Sequence, residues 1–517
     1  MKLEKLIKGL EVMGIKGNPD IEIKRISYNS RKVRDGDLFA AIPGTVQDGH
    51  AFIPDAHACG ASAFLVSEEI SLSDRPVVRV PDVRLAMGML AGRILGNPSH
   101  HLDVTGITGT NGKTTLSYLL EAILNASGEK AGVIGTVNYR YQEKTRPAPT
   151  TTPESVDIHE MLCEMKKAGV SHVFLEVSSH ALDQRRVSGL RLKQAVFTNL
   201  SQDHLDYHHD MESYFSAKEK LFTEVGPGRW EIDRPAGLEP GASVINMDDS
   251  YGLRLMQKAP GRVVGYGMNH PDAEVRARIL KLDSQGLEME IMTGKKKFKV
   301  KSSLIGRHNA MNIIAAAASA FEMGLSTSVV KKGIASLERV PGRLEPVQNT
   351  QGIIVLVDYA HTPDALAQAI KATREVSRGR LILVFGCGGD RDRRKRPRMG
   401  EIAGKGADLV VITSDNPRSE DPRAIIDEIL PGIKMSGARE LHGMSKAKRG
   451  YKVEKSRKQA IEMAVAEANP GDVILIAGKG HEDYQILGDS RIHFDDREIA
   501  AKALASGIPG KRSEQGR

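Results

Sequence analysis

The heptapeptide Gly-Thr-Asn-Gly-Lys-Thr-Thr at Gly109–Thr115 constrains the fold of this chain more than any other stretch. An apolar run from Leu102 to Ile107 precedes it, and Leu116-Ser117-Tyr118-Leu119-Leu120-Glu121-Ala122 follows with helical character. Strand, glycine-rich turn and helix start in that order make an anion cradle, because backbone N–H groups and the helix dipole both point at a bound phosphate. Gly109, Thr110, Asn111, Gly112 and Thr115 form the loop, Lys113 brings a positive charge for the outer phosphates, and Thr114 offers Mg²⁺ a hydroxyl. The strict P-loop spacing would put glycine at position 107, where this chain has Ile107. A glycine turn capped by threonines is the plainer alternative. The strand-to-helix setting favours nucleotide binding, with ATP as the expected nucleotide.

At 517 residues the chain is too long for one core and predicts about three domains. No uninterrupted apolar run approaches the ~20 residues that cross a bilayer, so no membrane insertion is expected. The start, Met1-Lys2-Leu3-Glu4-Lys5-Leu6-Ile7, is too charged for a secretory signal. Three scattered cysteines (Cys59, Cys163, Cys387) form no CxxC pair, which fits a reducing cytoplasm. The net charge of +8 suits anionic ligands such as nucleotides, and would also suit nucleic acid. Against nucleic acid, aromatic residues are only 4%, and no basic stretch is interleaved with stacking rings. The best basic patch, Arg391–Arg398, sits inside a glycine-rich loop.

The expected fold class is α/β in three domains. Residues 1–98 form a small N-terminal α/β domain with strands at Ile21–Ile23, Asp37–Ile42 and Ala63–Val66, and a helix broken by Asn97-Pro98-Ser99. Residues 99–339 alternate strands (Gly132–Val137, His172–Val177, Ala195–Thr198, Ser243–Asn246) with helices, ending in an alanine-rich helix over Asn312–Met323. That alternation predicts a P-loop-type, mostly parallel sheet covered on both faces. Residues 340–505 alternate again, as a Rossmann-like domain with strands Ile353–Val357, Leu381–Phe385, Leu409–Thr413 and Val473–Ala477. Residues 506–517 read as a disordered tail. In the third block each strand runs into a polar loop: Asp358–Pro363, Gly386–Asp392, Ser414–Arg418 and Gly478–Glu482. Ligands in open α/β sheets sit outside the carboxyl ends of the strands, so four such loops predict a binding edge.

The helix predicted over Met211–Phe222 carries a stripe of Met211, Tyr214, Phe215, Leu221 and Phe222, and Lys218 falls in its middle. Two readings stay open here. Either the stem packs and the amine snorkels to water, or burial lowers the amine's pKa. A neutral amine reacts with CO₂ to give a carbamate, an acidic metal ligand. Upstream, His204 and His208 are four apart and could hold zinc on a helix, but no cysteine or HExxH supports it. Beside an ATP loop Mg²⁺ is the natural metal, and Glu176 at a strand end is a candidate ligand.

These motifs resemble the Mur ligases, ATP-dependent enzymes that build the peptide stem of peptidoglycan. The resemblance runs in order through Gly109–Thr115, Thr151-Thr152-Pro153, Glu176-Val177-Ser178-Ser179-His180, Asp203-His204, Tyr214–Lys218, Gly306–Asn312 and Asp358–Pro363. Asp415-Asn416-Pro417-Arg418 matches the signature of the diaminopimelate-adding members. The insert around 226–240 is outside the pattern and reads as a surface loop. The resemblance implies that the three blocks bind UDP, ATP and the incoming amino acid, respectively. It further implies that Lys113, His204 and Lys218 are catalytic, and that Thr114, Glu176, His204 and Lys218 bind Mg²⁺, with Lys218 as the carbamate (N6-carboxylysine). Asn309 and Asp358 would join the ATP loop at the adenosine. Tyr28, Ser30, Thr45, Val46, Gln47, Thr150, Thr151, Thr152, Ser178, Gln184 and Arg186 would hold a UDP-muramoyl dipeptide. Arg391, Asp415, Asn416, Pro417, Arg418, Gly478 and Glu482 would hold meso-diaminopimelate. All expected partners are small molecules, and a monomer is expected.

Physical chemistry agrees with the amino-acid assignment. Arg418 can fork onto the distal carboxylate of diaminopimelate through two parallel hydrogen bonds. Lysine would leave the guanidinium unpaired, a loss of order 3–5 kcal/mol by analogy with broken buried pairs. An exposed turn arginine is the plainer alternative for Arg418. Competing functions are a lysine-adding or folylpolyglutamate-type ligase, a P-loop ATPase acting on nucleic acid, and a silent binding relative.

Overall fold

The computed structural model describes residues 1–44, 47–226, 241–441 and 449–506. Thr45, Val46, the insert beyond Gly226 and the tail after Ser506 therefore lie outside the described residues. Three sheets follow one another along the chain, with a two-stranded ribbon near its end. The first has the spatial order Gly14–Lys16, Val77–Arg79, Ala63–Val66, Asp37–Ala40 and Arg25–Ser27. Only its first pairing is antiparallel. The strand expected at Ile21–Ile23 is not part of it. Those residues face the chain start instead: Ile23 N–H donates to the Met1 carbonyl at 2.8 Å and Leu3 N–H to the Ile21 carbonyl at 2.9 Å. With their backbone spent there on one bridge, the sheet edge passes to Arg25–Ser27.

The second sheet has eleven strands. Its parallel heart runs Arg262–Gly267, Ala242–Asn246, Gln194–Phe197, Asp103–Thr108, His172–Glu176 and Ala131–Ile134. Successive side chains along these strands enter opposite cores. Phe174 packs with Leu116, Leu119, Leu120 and Ile123 of the Lys113–Ser127 helix and Ile313 and Ile314 of the Arg307–Glu322 helix. Val173 and Leu175 pack with Phe215, Leu221 and Phe222 of the Met211–Thr223 helix and Leu162 of Ser155–Lys167. Burial on both faces is why these strands read as continuous apolar runs.

Five more strands extend the sheet beyond that heart, Val275–Asp283 joining it in parallel with Arg262–Gly267 and the remaining pairings being antiparallel, and none stood out in the sequence. Val275–Asp283, Gly286–Thr293 and Lys296–Ser302 lie at one end; Asn138–Tyr141 and Lys144–Pro147 lie at the other. Each has a charged outer face, as in Lys296-Lys297-Phe298-Lys299, which dilutes the apolar signal.

The third sheet runs Glu345–Pro346, Ile354–Asp358, Val473–Ala477, Leu381–Phe385, Leu409–Ile412 and Gly450–Val453, with only the first pairing antiparallel. Pro363–Val376, Lys395–Gly406 and Pro422–Met435 cover one face, and Arg457–Glu467 and Asp496–Ala505 the other. Parallel order brings the four polar loops to the same edge.

Candidate active site

The Gly109–Thr115 loop is clamped between two elements. Gly109 has φ +143° and Gly112 φ +92°. A Cβ on Gly109 would lie 1.9 Å from Thr198 Oγ1, and one on Gly112 would lie 2.4 Å from Asn312 Oδ1. Asn199 Oδ1 accepts from the Asn111 N–H at 3.0 Å, and Thr198 Oγ1 donates to the Asn111 carbonyl at 2.6 Å. Gly112 caps the following helix without a side chain, so the first N–H groups stay available to an anion. Thr115 is buried in that first turn. Lys113 curls back, its Nζ donating to the carbonyls of Gly109 at 2.8 Å and Thr110 at 3.0 Å. Burial lowers its pKa, and Glu176 and Asp203 oppose that shift.

Glu176 ends its strand beside this loop with 1% exposure. Its carboxylate accepts from Thr136 Oγ1 at 2.7 Å, Thr114 Oγ1 at 3.0 Å and Ser117 Oγ at 3.4 Å. Such an oxygen-rich corner suits a hard divalent cation. Lys218 is 2% exposed, so it does not snorkel. Its Nζ donates to the Gly109 carbonyl at 3.0 Å and lies 4.6 Å from the Tyr214 ring centroid. Among the described residues no carboxylate reaches it within ion-pair distance. Desolvation, then the Lys113 charge, holds its pKa well below the ordinary lysine value, against the pull of Asp203.

His204 sits at φ +53°, its Nε2 3.3 Å from Asp203 Oδ2 and its ring edge-on to His180. Burial is the main reason its pKa falls to about 4. His208 points elsewhere, its Nε2 sharing a 2.9 Å hydrogen bond with buried Ser179 Oγ. The zinc pair is thus not formed, and among the described residues no three His, Cys, Asp or Glu side chains gather as a metal site. The donor set here is one carboxylate, two threonine hydroxyls and an amine without an acid partner. It fits Mg²⁺ once that amine carries an acidic group.

A cleft of about 1670 Å³ separates the second and third sheets. Thr136, Thr150, Thr151, His180 and His204 line one wall, and residues from all four polar loops line the other. Behind Thr150 and Thr151, Thr152 Oγ1 donates to the Glu176 carbonyl at 2.8 Å and accepts from Ser178 N–H at 3.0 Å. Arg186 ties the Thr152 carbonyl at 3.0 Å to Gln184 Oε1 at 2.6 Å. Those four residues therefore form one cluster. Tyr28, Ser30 and Gln47 do not line the cleft. Tyr28 donates to Asp157 Oδ2 at 2.7 Å, joining the first sheet to the Ser155–Lys167 helix.

Asn309 and Asp358 also lie outside the cleft. Asn309 is 2% exposed, donating to the Ile305 carbonyl and accepting from Asn312 Nδ2. Asp358 accepts from the N–H groups of Leu344 and Ala360, and burial raises its pKa.

On the far wall Asp415, Asn416 and Pro417 are buried, and Arg418 adopts φ +53° with Nη1 donating to the Gly389 carbonyl at 2.7 Å. A Cβ on Gly478 would lie 2.4 Å from Asp415 Oδ2. Glu482, its pKa raised by burial, accepts from Asn416 Nδ2 at 2.8 Å and Lys479 Nζ at 3.3 Å. Arg391 is exposed and bonds the Asp390 carbonyl.

Sequence reasoning missed Lys479, which is wholly buried, and two residues that cross the cleft. Arg343 Nη2 donates to Thr114 Oγ1 at 3.2 Å while its guanidinium lies 5.0 Å from the Tyr359 ring centroid. Asp364 Oδ2 accepts from Asn111 Nδ2 at 3.0 Å and Ser201 Oγ at 2.7 Å. The only hint of either was position: Arg343 lies near the start of the 340–505 block, and Asp364 directly follows the Asp358–Pro363 loop.

Three family models match in succession: Mur ligase family, catalytic domain (22–94), Mur ligase middle domain (107–320) and Mur ligase, glutamate ligase domain (342–480). A UDP-N-acetylmuramoyl-L-alanyl-D-glutamate–2,6-diaminopimelate ligase of Geobacter metallireducens is 47% identical over 510 residues, 98% of each chain. The chain belongs to the Mur ligase family. It is therefore an ATP-dependent ligase that forms amide bonds. A Mur ligase with the same name as the Geobacter protein, from Clostridioides difficile, is 41% identical over 98% of this chain and all of its own. A solved structure of a protein so named has a TM-score of 0.69 at 32% identity, covering 98% of this chain and 99% of its own. A folylpolyglutamate synthase of Mycobacterium tuberculosis (TM-score 0.60, 19% identity, covering 81% and 94%) shares the fold alone. Among the described residues no helix of this Mur ligase is long and apolar enough to cross a membrane.

Proposed function

We propose that this Mur ligase joins meso-2,6-diaminopimelate to the D-glutamate γ-carboxylate of UDP-N-acetylmuramoyl-L-alanyl-D-glutamate, consuming ATP in peptidoglycan precursor synthesis. The observation that carries this reading is one cleft in which Thr150, Thr151 and His204 face Asp415, Asn416, Arg418 and Glu482. The names of relatives at 41–47% identity along the whole chain support it. The γ-carboxylate attacks the γ-phosphorus of ATP, ADP leaves, and an acyl phosphate forms. The diaminopimelate amine then adds to the acyl carbon, and phosphate leaves from the tetrahedral intermediate as the amine proton is lost.

The chain's own part is positioning and charge neutralisation. Gly109–Thr115 cradles the phosphates, and Lys113 turns from its carbonyls toward them. Thr150, Thr151, Thr152, Ser178, Gln184 and Arg186 hold the muramoyl dipeptide, with Tyr28, Ser30 and 45–47 toward the uridine. Asn309 and Asp358 serve the adenosine side. Arg391, Asp415–Arg418, Gly478 and Glu482 hold the amino acid, Arg418 on its distal carboxylate. Mg²⁺, held by Thr114, Glu176, His204 and a carbamate on Lys218, would offset phosphoryl charge when bound. The neutral Lys218 amine forms that carbamate by attacking CO₂ and releasing one proton. Its burial without an acid partner supports this. Since one chain completes the cleft, we also propose a monomer working in the cytoplasm, without nucleic acid or membrane.

Phosphate release from UDP-muramoyl dipeptide and ATP, with a panel of amino acids, tests the reading. Diaminopimelate should drive release far faster than lysine or glutamate. Equal rates with lysine, or none with any, would overturn it.

A further inference from the structure

We propose that Arg396, acting with Glu420, Asp390 and Ser419, is a positioning device that sets the spacing of Arg391 and Arg418 and so the preference for an amino acid with a distal carboxylate. This rests on the reading above of Arg391 and Arg418 as the amino-acid arginines. The Arg391–Arg398 run marked a basic patch, but one member is not on the surface at all. The Arg396 side chain has 0% exposure.

Its guanidinium forks onto Glu420, Nη1 donating to Oε2 at 2.9 Å and Nη2 to Oε1 at 2.8 Å. Nη1 also donates to Glu428 Oε2 at 2.8 Å, and Nη2 to the Gly388 carbonyl at 3.2 Å. Glu420 accepts in turn from the Asp390 N–H at 2.6 Å. The Asp390 carboxylate accepts from Ser419 Oγ at 2.6 Å and Ser419 N–H at 3.2 Å. These bonds join the Gly386–Asp392 loop to the residues just after Arg418.

Both functional arginines pack around the held peptide. A Cβ on Gly388 would lie 3.0 Å from Arg418 Nη1 and 3.8 Å from Arg391 Cγ. A buried guanidinium tolerates no loss of its carboxylates, so the two loops cannot drift apart cheaply. Arg396 holds Glu420 ionised, its pKa lowered to about 2. The device therefore works unchanged across the range in which ATP chemistry runs.

The test compares wild type, Ser419→Ala and Arg396→Lys in full-length enzyme. KM for diaminopimelate, KM for ATP, kcat and the diaminopimelate-to-lysine ratio of kcat/KM are measured, with melting temperature alongside. Ser419 is exposed, so its replacement leaves the fold intact even if Arg396→Lys does not. Ser419→Ala should raise KM for diaminopimelate about fivefold with KM for ATP unchanged, as loss of one solvent-exposed hydrogen bond predicts. Arg396→Lys loses the fork and should lower the selectivity ratio about tenfold. Selectivity and KM unchanged in Ser419→Ala, or a drop in melting temperature alone, overturn the inference. A wild type that takes lysine equally well instead fails the parent reading and this inference with it; a selective wild type with equally selective variants fails this inference only.

Discussion

The proposed ATP loop and the proposed amino-acid pocket would recognise their ligands by opposite means. Gly109–Thr115 is seven consecutive residues whose backbone would do most of the binding, held in shape by two glycines at positive φ with no room for a Cβ. The pocket across the cleft draws on four loops that follow four separate strands, and its chemistry lies in side chains. Phosphate is a generic anion, so a contiguous backbone cradle suffices. Selecting one diamino acid over another needs charges at fixed separations, which only a tertiary scaffold can set. Two lysines show the same contrast within one site. Lys113 and Lys218 both donate to the Gly109 carbonyl, one from four residues away and one from a distant helix.

Four experiments would break or sharpen this comparison. The largest effect is expected at Lys218. Lys218→Ala should cost about a thousandfold in kcat, as for loss of a preorganised electrostatic group, with partial rescue by formate or acetate. Near-normal turnover without added carboxylate would remove the carbamate. Next, Arg418→Lys should reduce preference for diaminopimelate over lysine about a hundredfold while KM for ATP stays put. Unaltered preference would mean that the four-loop pocket selects by something other than its guanidinium.

Asp364→Ala should lower kcat/KM for ATP about tenfold, because its carboxylate accepts one hydrogen bond from Asn111 of the Gly109–Thr115 loop and one from Ser201 beside it, tying both to the Pro363–Val376 helix. Asp364→Asn, which keeps an acceptor oxygen, should recover most of it. Equal loss in both variants would show that the two regions are not coupled through this contact.

The smallest effect concerns stability away from both regions. His159 is fully buried where the Val83–Ile94 and Ser155–Lys167 helices meet, and a Cβ on Gly92 would lie 3.1 Å from its Cε1. Desolvation lowers its pKa from 6.5 to about 4. A lowered histidine pKa means the unfolded chain binds the extra proton between those values. Its contribution is thus complete above pH 6.5 and is lost as pH falls toward 4, by at most about 1.4 kcal/mol per pH unit. His159→Asn should flatten the melting temperature against pH in that window without moving amino-acid selectivity. An unchanged slope would take His159 out of that account.

The parallel strands were legible because burial on both faces leaves continuous apolar runs, as at Leu381–Phe385. The outer strands were not, since Lys296–Ser302, which pairs in a hairpin with Gly286–Thr293, alternates charge with apolar residues and so carries no continuous apolar run. Lys218 stood out as a lysine in an apolar stripe, yet periodicity left open whether its amine reached water. Packing under Tyr214 answered that. Arg343, Asp364 and Lys479 carried no periodic or motif signal, because each matters only through a residue hundreds of positions away or in another loop.

Local chemistry in the sequence was enough to determine the strand–glycine loop–helix arrangement around Gly109–Thr115, the alternation of strands and helices, and the order of the three sheets. Strand and helix periodicity and glycine sterics act over a few neighbouring residues, so they are written into contiguous text. The cleft, the desolvation of Lys218 and the spacing of Arg391 from Arg418 were decided only when the sheets came together. Burial and ion pairing depend on distances in space, and no local pattern encodes those.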